Sequence, residues 1–494
     1  MGFGPRSWMQ RDCLAPALNL LFMAKVIGLN HMKSLFRLIC WAAVFAVTAH
    51  TVRAETPAQR DARMKWWREA RLGMFVHWGL YSAAEGCWDG KKYGGGVEWI
   101  QNEAGVPAAE YAARLRPLFR PRPNFAKAWA RLAKDMGAQY VVFTAKHHEG
   151  FALWDSKLTD FDAKDFTGRD LFKEIVTALR AEGLRVGVYF SVIDWHHPDF
   201  PVKNTGLPHP LQKHPEIADP DAGRVMSRYV DFMHRQVKEI TTRYGRLDVL
   251  WWDWSSKETQ GESWRAAELI QKVRKAQPRI IMNNRLYFSP NVQGDNLGIF
   301  DVSKGDFTTP EQHIPATGMP GVDWEACMTL NGTWGYSEHD FNWKSAETLI
   351  RNTVDIASKG GNYLINAGPL ADGTIPQAIQ VRFRELGAWM HQYGDSIHGT
   401  AANPLVAVPW GRITAKPDRL YLHVFDWPKD NRITVPLKPP TAMKAWMMAD
   451  GQHQRLNCEV TPEGVAVTLQ PGFENPYASV AVLETGGPAK SPDH

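Results

Sequence analysis

Continuous apolar runs alternate with helix-like segments along most of the chain. A buried parallel strand reads as an unbroken apolar run, because helices cover both faces of its sheet. An amphipathic helix instead repeats its apolar residues every three to four positions. The runs predict eight strands, at residues 73–77, 139–145, 185–191, 247–253, 279–284, 297–301, 324–330 and 362–367.

Helical patterns fill most of the intervals between these strands. The first helix begins at Thr56-Pro57, a cap residue followed by proline at the first helical position, and runs to about Arg71. Eight such alternations predict an α/β fold, a (β/α)₈ TIM-like barrel with long loops. A doubly wound sheet is the alternative, but no glycine-rich phosphate loop follows the first strand. Further helices are predicted at residues 125–136, 170–181, 224–244, 263–276 and 344–358.

The pattern changes after about Gly399, where short alternating segments separated by turn residues replace the helical periodicity. Such spacing is typical of antiparallel strands. We therefore predict a catalytic barrel over 55–399, a smaller C-terminal antiparallel β-sandwich domain over 400–485, and a disordered tail over 486–494. The segments lie at residues 419–425, 432–437, 445–448, 464–469 and 478–483.

Residues 1–54 resemble a processed leader. From Met32, which we expect to be the true start, Lys33 and Arg37 precede an apolar run at 38–49, and Val52-Arg53-Ala54 offers a cleavage site. We therefore predict a signal peptide and an exported protein, periplasmic or secreted. An uncleaved anchor is the alternative, but the run is short for a stable membrane span.

Charge and cysteine content narrow the possible partners. The leader accounts for the whole formal net charge of +5, so acidic and basic residues are equal in number in the rest of the chain. Nothing in this charge balance indicates nucleic-acid binding. Outside the leader, Cys87, Cys327 and Cys458 have a spacing that matches no metal site. An odd number leaves at least one thiol unpaired. No feature indicates the oligomeric state.

The apolar run at 247–253 ends in Asp253, which lies between two tryptophans. A carboxylate at the carboxyl end of a barrel strand is where this fold presents its chemistry. Asp253 is therefore a candidate nucleophile. The plainer alternative is that it caps the following turn.

Polar side chains also follow the other predicted strands, and in a barrel they would face one mouth. Two carboxylates flanking a bond are the usual requirement of glycoside hydrolysis, with histidines and arginine binding sugar hydroxyls. The 21 tryptophans of the chain suit stacking on sugar rings. A metal held by His77, His147 and His148 is the alternative, although no metal-binding spacing is present. No metal or other cofactor is expected.

Several motifs in this order resemble α-L-fucosidases of glycoside hydrolase family 29. The resemblance covers about residues 57–399 and implies a barrel with a C-terminal β-sandwich. It also implies a retaining exo-hydrolase that removes terminal α-L-fucose from an oligosaccharide or glycoconjugate. The motifs are GMFVHWG from Gly73, TAKHHEGF from Thr144, GVYFS from Gly187, WWD from Trp251, WEACMT from Trp324, WGY from Trp334 and GGNYLIN from Gly360.

The resemblance also assigns residues. It implies that Asp253 is the nucleophile and that the segment at 307–312 supplies the acid/base, Glu311, with Glu325 as second choice. Two departures are visible: Trp254 stands where many members have glycine, and Asn284 where many have aspartate. The sugar-binding positions that we predict are His77, Glu98, Trp99, His147, His148, Tyr189, Trp252, Arg285 and Trp334, with Trp252 as a wall of the pocket or of the barrel core.

Two other functions remain open at this stage. One is a fucose-binding lectin built on an inactive barrel, and the other is a retaining barrel hydrolase for another sugar, such as an α-galactosidase. Intact Asp253 and Glu311 argue against the lectin. Parallel assays on aryl α-L-fucoside and aryl α-D-galactoside distinguish the three.

Overall fold

The computed structural model of the protein describes residues 55–288, 304–440 and 443–491. A curled parallel sheet of seven strands forms its largest part, in the order β5-β4-β3-β2-β1-β7-β6. Seven of the eight predicted strands are thus confirmed, and the remaining one, 297–301, lies outside the described residues. The strands are β1 Leu72–Val76, β2 Tyr140–Lys146, β3 Arg185–Ser191, β4 Val249–Asp253, β5 Ile281–Met282, β6 Glu325–Met328 and β7 Asn362–Ala367.

A short segment after the undescribed stretch lies between the two edge strands, β5 and β6. The Asp306 amide donates to the Met282 carbonyl (2.6 Å), and the Glu325 amide donates to the Thr308 carbonyl (2.9 Å). Isolated parallel bridges join Asn283 to Phe307 and Thr308 to Trp324. These contacts close the ring, as the predicted (β/α)₈ TIM-like barrel requires.

The predicted helices are present, with ends that shift by a few residues. The interval predicted as one helix over 263–276 begins instead as a 3₁₀ turn, and Arg265, with φ of 48°, separates it from the α-helix. The helices are α1 Pro57–Ala70, α2 Ile100–Glu103, α3 Ala108–Leu115, α4 Phe125–Asp135, α5 Ala163–Thr167, α6 Leu171–Ala181, α7 Met226–Arg243, α8 Ala266–Ala276, α9 Ala346–Ser358 and α10 Gln377–Tyr393.

Aromatic side chains fill the interior of the barrel. Phe75, Tyr189 and Trp251 pack together inside it, and Trp67 of α1 contacts Phe307 with ring centroids 4.8 Å apart. Alternate residues of each strand point inward, so every second position belongs to this layer. Above this filled layer, a pocket lies at the carboxyl ends of the strands.

The C-terminal region forms two antiparallel sheets around a shared apolar core, as predicted for a β-sandwich. The four-stranded sheet has the order β8-β9-β14-β11 and the three-stranded sheet the order β10-β13-β12. The boundary at residue 399 and the disordered tail remain predictions. The strands are β8 Gly411–Lys416, β9 Arg419–Val424, β10 Arg432–Val435, β11 Lys444–Met447, β12 Asn457–Thr461, β13 Gly464–Thr468 and β14 Ser479–Glu484.

The four-stranded sheet packs against the barrel helices. Trp389 of α10 donates its indole N–H to the carbonyl of Ala478 (2.9 Å), and Arg351 of α9 donates to the carbonyl of Tyr477 (3.1 Å). These contacts attach the sandwich to the outer helices of the barrel. Within the described residues, no helix is both long and apolar enough to cross a membrane.

Candidate active site

A small pocket opens at the carboxyl ends of the barrel strands. Its empty volume, open mouth included, is about 330 Å³. Ten of the predicted site residues meet here, although most are far apart in the sequence. The lining residues are Phe75, His77, Glu98, Trp99, His147, His148, Tyr189, Trp251, Asp253, Trp254, Arg285, Glu311 and Trp334.

Asp253 ends β4 with both carboxylate oxygens hydrogen-bonded. The Tyr189 hydroxyl donates to Oδ2 (2.7 Å), and Nη1 of Arg285 donates to Oδ1 (2.7 Å). The side chain is only 11% exposed. A phenol and a guanidinium therefore fix this carboxylate at a strand end, and these two bonds are not those of a helix cap.

Arg285 connects this carboxylate to a second one. Its Nη2 donates to Oε2 of Glu311 (2.9 Å), and its Nε donates to Oγ1 of Thr309 (2.7 Å). Burial lowers the pKa of Arg285, but the charges of Glu311 and Asp253 outweigh this effect and raise it. Arg285 therefore stays charged and binds one carboxylate with each terminal nitrogen.

Glu325, the second choice for acid/base, lies outside the pocket and inside the barrel. Its carboxylate accepts from the Tyr140 hydroxyl and from the indole N–H of Trp251 (3.0 Å), and the residue is fully buried. Burial raises its pKa to about 7, although these hydrogen bonds oppose the shift. With no route to a leaving oxygen, Glu325 supports the barrel core, and the geometry favours Glu311.

The three predicted histidines lie on one side of the pocket and are neutral. His77 pairs Nδ1 with Oδ1 of Asn366 (2.8 Å), and His148 pairs Nδ1 with the Ser191 hydroxyl (2.7 Å). Burial lowers the pKa of all three, that of His77 to about 3. In the part of the chain that the structure describes, the three form no metal-ligand cluster. Neutral imidazoles suit hydrogen bonds to sugar hydroxyls.

Both His147 and His148 line the pocket although they are adjacent. Two neighbours on a regular strand would point to opposite faces. Here β2 ends at Lys146, and its pairing with β3 shifts register between Thr144 and Lys146. The two residues therefore lie beyond the regular part of the strand, and both side chains face the pocket.

Tryptophans that pack against these histidines, together with a buried acid, form the rest of the wall. Trp334 packs over His77 (4.8 Å between ring centroids), and Trp99 packs against Trp254 (5.1 Å). Glu98 lies behind them, where it accepts a hydrogen bond from the Gly335 amide (3.1 Å). Burial raises its pKa to about 7, despite the opposing effect of its hydrogen bonds. Glu98 therefore fixes the Trp334 loop from within.

One predicted site residue is wrong. Trp252 does not line the pocket but packs outside the barrel strands near Phe190 (6.2 Å between centroids), and Trp251 lines the pocket in its place. The physical reason is strand alternation: if Asp253 faces inward, so does Trp251, and Trp252 faces outward. The sequence contained this signal.

Two further lining residues were not predicted as sugar-binding positions, Phe75 and Trp254. Phe75 follows from the same alternation, because it lies two residues before His77. Trp254 has φ of 64°, the left-handed region that favours glycine. Glycine would adopt this backbone conformation without strain, which is consistent with the glycine that the family resemblance implies at this position.

A closed barrel with two carboxylates and neutral hydrogen-bonding groups in a small pocket defines a glycoside hydrolase. The family model for alpha-L-fucosidases matches residues 42–395, and the chain belongs to that family. A curated relative, tissue alpha-L-fucosidase of Rattus norvegicus, is 28% identical over 429 residues, 82% of this chain and 85% of that protein.

Solved structures agree with this assignment. Alpha-L-fucosidase isoenzyme 1 from Paenibacillus thiaminolyticus has a TM-score of 0.76 and 38% identity, covering 86% of this chain and 99% of that one. A family 29 alpha-L-fucosidase from Bacteroides thetaiotaomicron, solved as a trapped covalent intermediate, has a TM-score of 0.73 and 32% identity, covering 86% and 96%.

Proposed function

We propose that the protein is a retaining exo-α-L-fucosidase that removes terminal α-L-fucose from glycans through a covalent fucosyl-enzyme. One observation carries this proposal: Arg285 binds Asp253 and Glu311 with its two terminal nitrogens (2.7 and 2.9 Å) at the mouth of a small pocket. A retaining mechanism needs two carboxylates beside the same glycosidic bond, and the shared guanidinium holds both carboxylates at one place in the pocket.

Asp253 is the nucleophile in this mechanism. Tyr189 and Arg285 each donate a hydrogen bond to one of its oxygens and so hold the carboxylate in one orientation. Attack forms the bond from Asp253 to C1 and breaks the bond from C1 to the glycosidic oxygen. Water then displaces Asp253, and two inversions give net retention.

Glu311 is the proposed acid/base, a role that requires it to leave its present contact with Arg285. The ion pair requires the ionised carboxylate, whereas protonation of the leaving oxygen requires the acid form. Glu311 must therefore separate from Arg285 and take up a proton before the first step. Its side chain is 30% exposed, more than that of Asp253, and can reach solvent for that proton.

The pocket supports fucose as the sugar. The histidines offer neutral donors and acceptors to the hydroxyls, and the tryptophans offer apolar ring faces to the C6 methyl group. Rejection of an added hydroxyl by an apolar wall is modest, on the order of 10²-fold. Weak activity on galactosyl analogues of fucose is therefore expected.

An open groove continues from the pocket and supports binding of the rest of the glycan. Trp99 and Trp254 belong to both the pocket and the groove. Their faces can therefore contact the fucose and the sugar next to it. The other groove residues are Gly95, Glu103, Gly206, Leu207, Pro208 and Gln212.

The test is the variant Asp253→Gly. It should abolish hydrolysis of an aryl α-L-fucoside, and azide should restore turnover with an inverted fucosyl azide, because the small anion fills the vacated space. Asp430→Gly, at an exposed site in the sandwich, is the matched control and should keep full activity. Near-normal turnover by Asp253→Gly refutes the nucleophile assignment. Hydrolysis of aryl α-D-galactoside alone would identify the other hydrolase, and binding without turnover would identify a lectin.

We also propose that residues 1–54 export the enzyme to the periplasm or the medium. The apolar run and small residues before Ala54 support cleavage there. N-terminal sequencing of the exported protein should find a start near residue 55. Retention of residues 32–54 on the active product contradicts the proposal.

A further inference from the structure

A cluster of three metal-ligating side chains lies beside the Trp334 loop, apart from the catalytic carboxylates. It consists of Cys87, on a two-stranded hairpin after β1, and of Glu338 and His339, on the loop after β6. Their ligand atoms all lie within 4.8 Å of one another. The Cys87 thiol is not in a disulfide. None of the three enters the proposed mechanism.

The three side chains converge on one point. Nε2 of His339 lies 3.0 Å from Sγ of Cys87 and 2.9 Å from Oε1 of Glu338. A nucleophile–histidine–acid relay uses the two ring nitrogens separately, one toward the nucleophile and one toward the acid. Here the same nitrogen faces both groups, so the cluster is not a relay and its three potential ligand atoms surround one point.

The backbone around the cluster is tightly constrained. The Glu338 amide donates to the Glu85 carbonyl (3.1 Å), and the Cys87 amide donates to the Ala84 carbonyl (2.8 Å). Gly86 has φ of 85°, and a Cβ there would lie 2.9 Å from the hydroxyl of Ser337. The two loops therefore meet closely, so the ligands are held in place by backbone contacts and not by long flexible chains.

We propose that Cys87, Glu338 and His339 form a zinc site. A thiolate, an imidazole and a carboxylate are the donor set that Zn²⁺ prefers, and three protein ligands leave a fourth position for water. The Zn–S and Zn–N bonds of about 2.3 and 2.0–2.1 Å need only small side-chain rotations from the present contacts. Binding deprotonates the Cys87 thiol, and its proton goes to solvent.

The site would join two loops that border the sugar pocket. Glu338 and His339 lie on the loop that carries Trp334, and Cys87 lies on the chain between β1 and the Glu98 segment. A bound ion would therefore tie the Trp334 wall to the hairpin. Amide exchange over 333–339 should slow when zinc is bound, because opening of the loop would have to break the coordination.

The experiment uses the full chain after removal of metals with a chelator. Zinc titration by calorimetry is compared for wild type, Cys87→Ser and His339→Gln, with Cys458→Ser as the matched control because Cys458 is also a free, partly buried thiol. Cobalt replaces zinc in parallel, since a cobalt–thiolate bond gives a charge-transfer absorption band. The expected loss of zinc affinity is on the order of 100-fold or more for each ligand variant.

The proposal is supported if wild type and Cys458→Ser each bind one equivalent of zinc and each show a cobalt charge-transfer band. Both signals should be lost in Cys87→Ser. Zinc should also raise the thermal midpoint of wild type but not of Cys87→Ser, since it stabilises the state that binds it. Absence of zinc binding by wild type overturns the proposal, as does equal binding by Cys87→Ser. Neither result bears on the fucosidase assignment, because no ligand is a catalytic group.

Discussion

The isosteric changes Glu311→Gln and Glu325→Gln should separate the two candidates for acid/base. Glu311 lies at the mouth and Glu325 in the barrel core, so the same substitution should have opposite effects on activity and stability. Loss of a general acid costs about 10²–10⁴-fold in rate, which is roughly 3–5 kcal/mol of transition-state stabilisation. That loss should appear in Glu311→Gln on a natural fucosylated oligosaccharide.

The leaving group provides an internal control for Glu311→Gln. An aryl fucoside with an acidic phenol needs little protonation, so its first step should be nearly normal and a burst of phenol should precede slow release of fucose. Azide should then restore steady-state turnover, because it needs no general base. Equal losses on both substrates, with no burst, would refute the assignment of Glu311.

Glu325→Gln should instead reduce stability with little loss of activity. Both carboxylate oxygens face donors, the Tyr140 hydroxyl and the Trp251 indole. An amide group turns one N–H₂ toward a donor, and an unsatisfied buried polar group costs about 1–3 kcal/mol. The Tyr140 hydroxyl can rotate to accept, which favours the lower value. Denaturant unfolding measures the change, and a folded but inactive Glu325→Gln would contradict this view of the site.

Two further predictions concern the groove and the pH dependence of stability. Trp254→Gly should relieve about 1 kcal/mol of left-handed backbone strain. Because Trp254 lines both the pocket and the groove, the variant should raise KM for oligosaccharides more than KM for aryl fucoside, and equal changes would contradict a groove contact. Burial raises the pKa of Glu149 to about 7, so the folded state binds this proton more tightly than the unfolded state does. The stability that the bound proton provides is complete below pH 4.5 and is lost as pH rises through 7. Wild type should therefore lose about 1–3 kcal/mol relative to Glu149→Gln between pH 5 and 8, and parallel unfolding curves would refute this.

The sequence alone determined the barrel, because each regular strand and helix has its own local pattern of apolar residues. The apolar runs located seven strands, and the strand ends located Asp253 and most of the pocket. The segment between β5 and β6 was harder to predict. In its described part, isolated bridges at Phe307, Thr308 and Glu311 replace a regular strand, and so irregular a segment has no period to detect. Trp252 could have been placed correctly, since alternation from Asp253 turns it outward.

Tertiary structure decided which side chains share a contact. Glu311 and Glu325 are both acids near predicted strands, and only packing shows that one meets Arg285 while Tyr140 and Trp251 enclose the other. The pairing of Cys87 with His339, 252 residues apart, follows the same principle. Local patterns specify secondary structure, but contacts between distant loops depend on where the whole fold places their ends.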